Sequence, residues 1–256
     1  MSGDPLEGPK LKVERADAHI SDVGDYIKQY FETCPYTTFT ELDANGGREL
    51  LKLRLTNPPP GKIAVAVGDV VHNLRSALDQ LACCLAIRNG FPDTSGTYFP
   101  FAASREIYES KSVQEKVKKL PQAAVQIIHE LKPYQGGNDL LWSLHQLDII
   151  DKHRALIPIA TTHLGINAQL VAKPLGTFPH TFSIPKTLQP LDKDAVILIY
   201  PAGLQFDSSE IEFTVDMAFH NVGPIEGQPV LTVLHQFVAM TKSILGIFEN
   251  RMLKQS

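Results

Sequence analysis

The sequence is poor in the residues that would mark it as secreted, membrane-spanning or metal-dependent. It has three cysteines, Cys34, Cys83 and Cys84. An odd count with one adjacent pair fits no disulfide framework, and no CxxC or Cys/His spacing suggests a zinc site. The first residues, Met-Ser-Gly-Asp-Pro, lack the apolar run of a secretory signal. The longest apolar stretch, around Ile63–Val71, is interrupted by Gly68 and Asp69 and falls far short of the ~18 residues of a membrane span. Charge of one sign is also lacking. A net charge of −4 leaves no broad footprint for DNA. These absences lead us to expect a reduced, cytoplasmic protein that does not enter a membrane.

Other absences narrow the chemistry. There is no GxGxxG after a strand, no GxxxxGK[ST], no GxSxG and no HExxH. No motif calls for a cofactor. What is present is an ordinary globular composition, 43% hydrophobic and 20% charged, with length enough for a full core.

The periodicity predicts a helix over Leu11–Thr33 and a hairpin from Tyr36–Leu42 and Arg48–Thr56 around Asp43-Ala-Asn-Gly-Gly47. A long helix follows over Ile63–Arg88, then an aromatic loop, Tyr98-Phe-Pro-Phe101, expected to plug the core. Ser104 caps a polar helix to about Leu120. Further helices span Pro121 to Leu131 and Asn138 to Leu156. From Ile157 the pattern changes to β, with strands at Ile157–His163, Asn167–Ala172, Thr181–Ile184, Ala195–Tyr200 and Ile211–Phe219, read as an antiparallel meander. Pro229–Met252 is a final helix. The expected fold is α+β. It forms one domain over residues 1–256. Residues 1–156 are mainly helical and are joined by the helix 229–252, while residues 157–222 are rich in β-structure.

Two helices carry unusual residues. On Ile63–Arg88 one arc is apolar, while Gly68, His72, Arg75, Ser76, Asp79 and Cys83 lie opposite it. His72, Arg75 and Asp79 stand three, four and seven apart, so they are neighbours on one stripe. Gly68 costs about 1 kcal/mol inside a helix, which points to close approach of another helix or a ligand. The helix Asn138–Leu156 is apolar all round and therefore buried, yet it carries His145, Asp148, Asp151 and Lys152, which face one side. His153 and Arg154 project elsewhere. Buried charge must be met by partners. The economical pairing sets Arg75 and His72 against Asp148 or Asp151, and Asp79 against Lys152 or His145.

Four readings of this pairing stay open. It can be a structural network that fixes helix register, an acid–base site, a ligand or partner site, or a metal site built from His72, Asp79, Asp148 and Asp151. Ser76, Cys83 and Cys84 are placed to be nucleophiles, but the sequence shows no activating context for them.

The segments Gly68-Asp69…His72-Asn-Leu-Arg-Ser-Ala-Leu-Asp79…Leu81-Ala82 and Leu147-Asp148…Asp151-Lys-His-Arg154 resemble those of a group of bacterial proteins with the same paired motifs and no established activity. At the level of fold, the helical half resembles the HEPN helical bundles, many of which are metal-independent ribonucleases. Their site uses a helical Arg followed four to six residues later by His. Arg75 takes the Arg position and Asp79 suits the pattern, but Gln80 stands where His is expected. The resemblance therefore implies either that His72 or His145 supplies the base, with Arg75 or Lys152 at the phosphate, or a non-catalytic relative. The partners it implies are an RNA or a protein chain, a second copy of this chain included.

Overall fold

The computed structural model describes residues 4–153, 159–161, 194–203 and 215–253. The fold is α+β, as the patterning predicts. The long helix α1 (Glu7–Glu32) buries Val13, Ala16, Ile20, Val23, Ile27 and Tyr30, an apolar row at helical spacing. A hairpin follows, β1 (Tyr36–Leu42) and β2 (Arg48–Leu55), paired antiparallel from Tyr36↔Leu55 to Leu42↔Glu49.

Helix α2 (Gly61–Arg88) begins after Pro60 and is the centre of the bundle, in contact with α1 and with the two later long helices. It is buried on most of its circumference, from Ile63 through Ala86. That explains its small residues. Ala64, Ala66, Gly68, Ala77, Ala82 and Ala86 let neighbouring helices approach closely.

The polar helix expected between Ser104 and Leu120 is divided. Ser104 does cap α3 (Arg105–Tyr108), accepting from the Ile107 N–H at 3.3 Å. Ser110 then adopts an extended backbone, and α4 (Lys111–Gln114) starts anew. The reason lies in the spacing: Tyr108 and Val113 are both buried but five residues apart. One continuous helix cannot put two such positions on a single stripe. Helix α5 (Gln122–Leu131) follows Pro121, and α6 (Asp139–His153) is capped by Asn138, whose Oδ1 accepts from the Leu141 N–H at 3.1 Å.

The later strands are antiparallel, but their partners are not those of a simple meander. Strand β4 (Ala195–Pro201) lies beside β2 and completes a three-stranded sheet in the order β1-β2-β4. Strand β3 (Ile159–Thr161) pairs with β5 (Asp216–Ala218). The sheet has a small core of its own, Leu51, Leu53, Ala195, Ile197, Leu198 and Tyr200, against which Phe31 of α1 packs. The strands expected at 167–172 and 181–184 lie outside the described residues.

The chain returns to the bundle in α7 (Val230–Phe248), which ends in a π-helical turn, Glu249–Leu253. The stretch Val230–Met252 is long and apolar enough to cross a membrane by composition. Here Val233, Leu234, Phe237, Ile244, Leu245 and Phe248 are buried in the main core. As expected, Phe99 and Phe101 also plug that core, while Tyr98 is exposed.

Candidate functional site at the α2–α6 contact

Helices α2 and α6 run antiparallel, so each polar residue of one meets its counterpart on the other in reverse order. Gly68 meets Asp151, His72 meets Asp148 and Arg75 meets His145. All seven candidates from the sequence lie along this contact. They do not form one cluster. They divide into an inner set around the buried Arg75 and an outer set in which the half-exposed His72 and Lys152 flank the buried Asp148.

The inner set is Arg75, Asp79 and His145. Arg75 is 7% exposed. Its Nε donates to His145 Nδ1 at 3.3 Å, its Nη2 reaches the Phe99 carbonyl at 3.4 Å, and its Nη1 lies 2.5 Å from Asp79 Oδ1. The last is a charge contact rather than an aligned hydrogen bond. The guanidinium also lies over the Phe101 ring, 4.5 Å from its centroid. Asp79 accepts from the Phe99 N–H at 2.9 Å, and the His145 ring stacks on Phe101 at 4.5 Å. Every member is thus tied to the aromatic segment. Asp79 answers Arg75 and Phe99, not Lys152 or His145 as the spacing suggested.

Burial, followed by the Arg75 charge, pushes His145 down to about 3. The ring stays neutral near pH 7, and its Nδ1 lone pair is taken up by Arg75 Nε. A pH prediction follows from this. The folded state holds His145 unprotonated while the unfolded chain protonates it near ~6.5. Folding therefore binds fewer protons, and stability falls as pH drops from about 6.5 toward 3. The loss by pH 5 is about 2 kcal/mol. Urea midpoints at pH 7.5 and 5 should show this in the wild type and show a flatter dependence in His145→Gln. Equal slopes would contradict it.

The outer set is His72, Ser76, Asp148, Asp151 and Lys152. The Asp148 side chain is only 3% exposed, whereas those of His72 and Lys152 are each 52% exposed. Asp148 Oδ1 lies 3.2 Å from His72 Nδ1, and Lys152 Nζ donates to Oδ2 at 2.6 Å. A buried carboxylate thus orients a half-exposed imidazole from one side, and the ammonium satisfies its other oxygen. The far ring nitrogen, Nε2, lies 3.4 Å from Ser76 Oγ, one turn along α2. Asp151 sits against Gly68, and burial together with the Asp148 and Asp69 charges raises its pKa.

Ser76 gains here the partner that the sequence did not reveal. Its signal was the four-residue spacing from His72, which helix geometry turns into a contact. Gln80, at the position expected to hold histidine, is turned to α1, where its Oε1 lies against Gly8. The metal alternative is not assembled. Among the described residues no three His, Cys, Asp or Glu side chains converge as ligands, and Asp79 is committed to Arg75 and Phe99. No known protein family, curated protein or solved structure matches the chain.

Proposed function

We propose that this chain is a cytoplasmic, HEPN-like RNA-processing protein in which His72, rather than a histidine following Arg75, acts as the general base. The observation that carries the reading is the pairing of a half-exposed His72 with the buried Asp148. A carboxylate on Nδ1 keeps that proton in place and leaves Nε2 as the acceptor, on the side of Ser76. It also stabilises the imidazolium that forms when Nε2 takes a proton.

In this reading Nε2 removes the proton of a ribose 2′-hydroxyl. The 2′-oxygen attacks the adjacent phosphorus, the bond to the 5′-oxygen breaks, and the imidazolium returns the proton to that oxygen. The products are a 2′,3′-cyclic phosphate and a 5′-hydroxyl. Lys152, half-exposed beside Asp148, is the cation available to the phosphate. Arg75 has no such role, because its guanidinium is buried and spent on the inner set.

The test is cleavage of a mixed RNA and of tRNA by the wild type, His72→Ala and Asp148→Asn. We expect cyclic-phosphate ends from the wild type and a loss of about 100-fold or more in His72→Ala, the usual contribution of a general base. A substrate with 2′-deoxyribose at the cleaved position should resist. Cleavage that is the same in all three proteins would remove the proposal.

A second reading is favoured by the inner set itself. Arg75, Asp79 and His145 hold one another and the aromatic segment, with Arg75 Nη1 held by the Asp79 charge alone. A non-catalytic interaction protein with a structural charge network would look the same there. It requires that substitutions at His72 and Asp148 change only the melting temperature.

A further inference from the structure

We propose that Ser76 is a nucleophile, activated by His72 and positioned through Asp148, that takes acyl groups from donors with a good leaving group. The inference rests on the reading of His72 as a base but not on RNA as the substrate.

Serine oxygen, imidazole and carboxylate follow one another in the required order. Ser76 Oγ lies 3.4 Å from His72 Nε2, and His72 Nδ1 lies 3.2 Å from Asp148 Oδ1. A serine four residues from a histidine on a helix is in itself an ordinary surface contact. What distinguishes this one is that the opposite ring nitrogen is held from another helix by a carboxylate that is 3% exposed. The ring is thereby fixed with its acceptor nitrogen toward the hydroxyl, the arrangement in which a serine gains nucleophilicity. The somewhat long Oγ–Nε2 distance is usual before substrate binds. Lys152 lies on the Oδ2 side of Asp148, so it completes the carboxylate's partners without competing for His72.

The helix also limits the substrate. Ser76 lies in the interior of α2, where the main-chain N–H groups are engaged in the helix. It therefore lacks the neighbouring main-chain donors that stabilise the oxyanion of an amide or alkyl ester. Aryl esters and thioesters, whose leaving groups depart readily, are the donors that fit. In the acylation step Oγ attacks the carbonyl carbon and its proton passes to Nε2. The bond to the leaving phenolate or thiolate breaks, and the imidazolium returns the proton to the leaving group. Water then attacks the Ser76 ester, His72 takes the water proton and delivers it to Oγ, and a carboxylic acid is released.

The experiment uses the full chain with two probes, 4-nitrophenyl acetate and a fluorophosphonate. Intact mass and peptide mapping should place a single acetyl or phosphonyl group on Ser76. Ser76→Ala should show no adduct, with an unchanged melting curve as the control for folding. His72→Ala should label about 100-fold more slowly or worse, and Asp148→Asn more slowly than wild type. An adduct on any other residue, or labelling that survives His72→Ala undiminished, would overturn the proposal. The same proteins assayed on RNA separate the two readings. Labelled Ser76 without RNA cleavage keeps the nucleophile and removes RNA. Cleavage by Ser76→Ala, with no labelling of the wild type, keeps the base and removes the nucleophile.

Discussion

Replacing Arg75 with alanine is expected to cost about 3 kcal/mol, in the range for breaking a buried charge pair. For a chain of this size that corresponds to a fall of roughly 6–12 °C in melting temperature. Four losses add up. Asp79 keeps its bond from the Phe99 N–H but loses its cation, His145 Nδ1 loses its donor, the Phe99 carbonyl loses Nη2, and the Phe101 ring loses the guanidinium on its face. Asp79 is about one third exposed, which keeps the cost toward the lower end. Arg75→Lys should recover less than half, because an ammonium cannot hold His145, Asp79 and a carbonyl at once while lying on an aromatic ring. Lys152→Ala, by contrast, removes a cation that is itself half-exposed but takes the Nζ donor from the buried Asp148, and should cost about 1–2 kcal/mol. Thermal and urea melts of the three variants decide the matter. A loss at Arg75 no larger than that at Lys152 would dissolve the division between inner and outer sets.

The Gly68–Asp151 contact gives the second large effect, with its own internal control. A Cβ built on Gly68 would stand 2.6 Å from Asp151 Cγ and 2.7 Å from Oδ2. No real pair of such atoms approaches so closely, so Gly68→Ala must displace Asp151 or push α2 away from α6. Overpacking of this kind costs about 1–3 kcal/mol. It outweighs the ~1 kcal/mol that alanine gains over glycine inside a helix. In an Asp151→Ala background the clash is gone and only the propensity gain is left. The same substitution should then stabilise the protein. The sign reversal is the expected result, read as a double-mutant cycle from urea midpoints. Gly68→Ala destabilising both backgrounds equally would show that something other than Asp151 demands the glycine.

Much of this was legible in the chain before any fold was known. Gly68 in mid-helix pointed to close approach, and a charged helix with apolar residues on every side pointed to partners for its charges. The contact between α2 and α6 was therefore foreseeable, as were the places of His72, Arg75, Asp79, His145, Asp148, Asp151 and Lys152 along it. The hairpin, the cap at Ser104 and the burial of Phe99 and Phe101 were equally readable, since turn chemistry and apolar spacing are local. The break at Ser110 was less so, because it depends on both Tyr108 and Val113 being drawn into tertiary contacts.

The sequence by itself determined the α+β class, the helical faces and the pair of helices that carry the polar residues. All of these follow from periodicity, which the chain encodes within a few turns. Only the tertiary structure decided who pairs with whom. The antiparallel direction of α2 and α6 sets Asp148 against His72 and His145 against Arg75, and depth below the surface does the rest. It leaves His145 neutral and encloses Arg75, while His72 and Ser76 remain at the rim. The place of β4 beside β2 was decided in the same way. Strand partners far apart in sequence are chosen by the packing of whole faces, which no local pattern records.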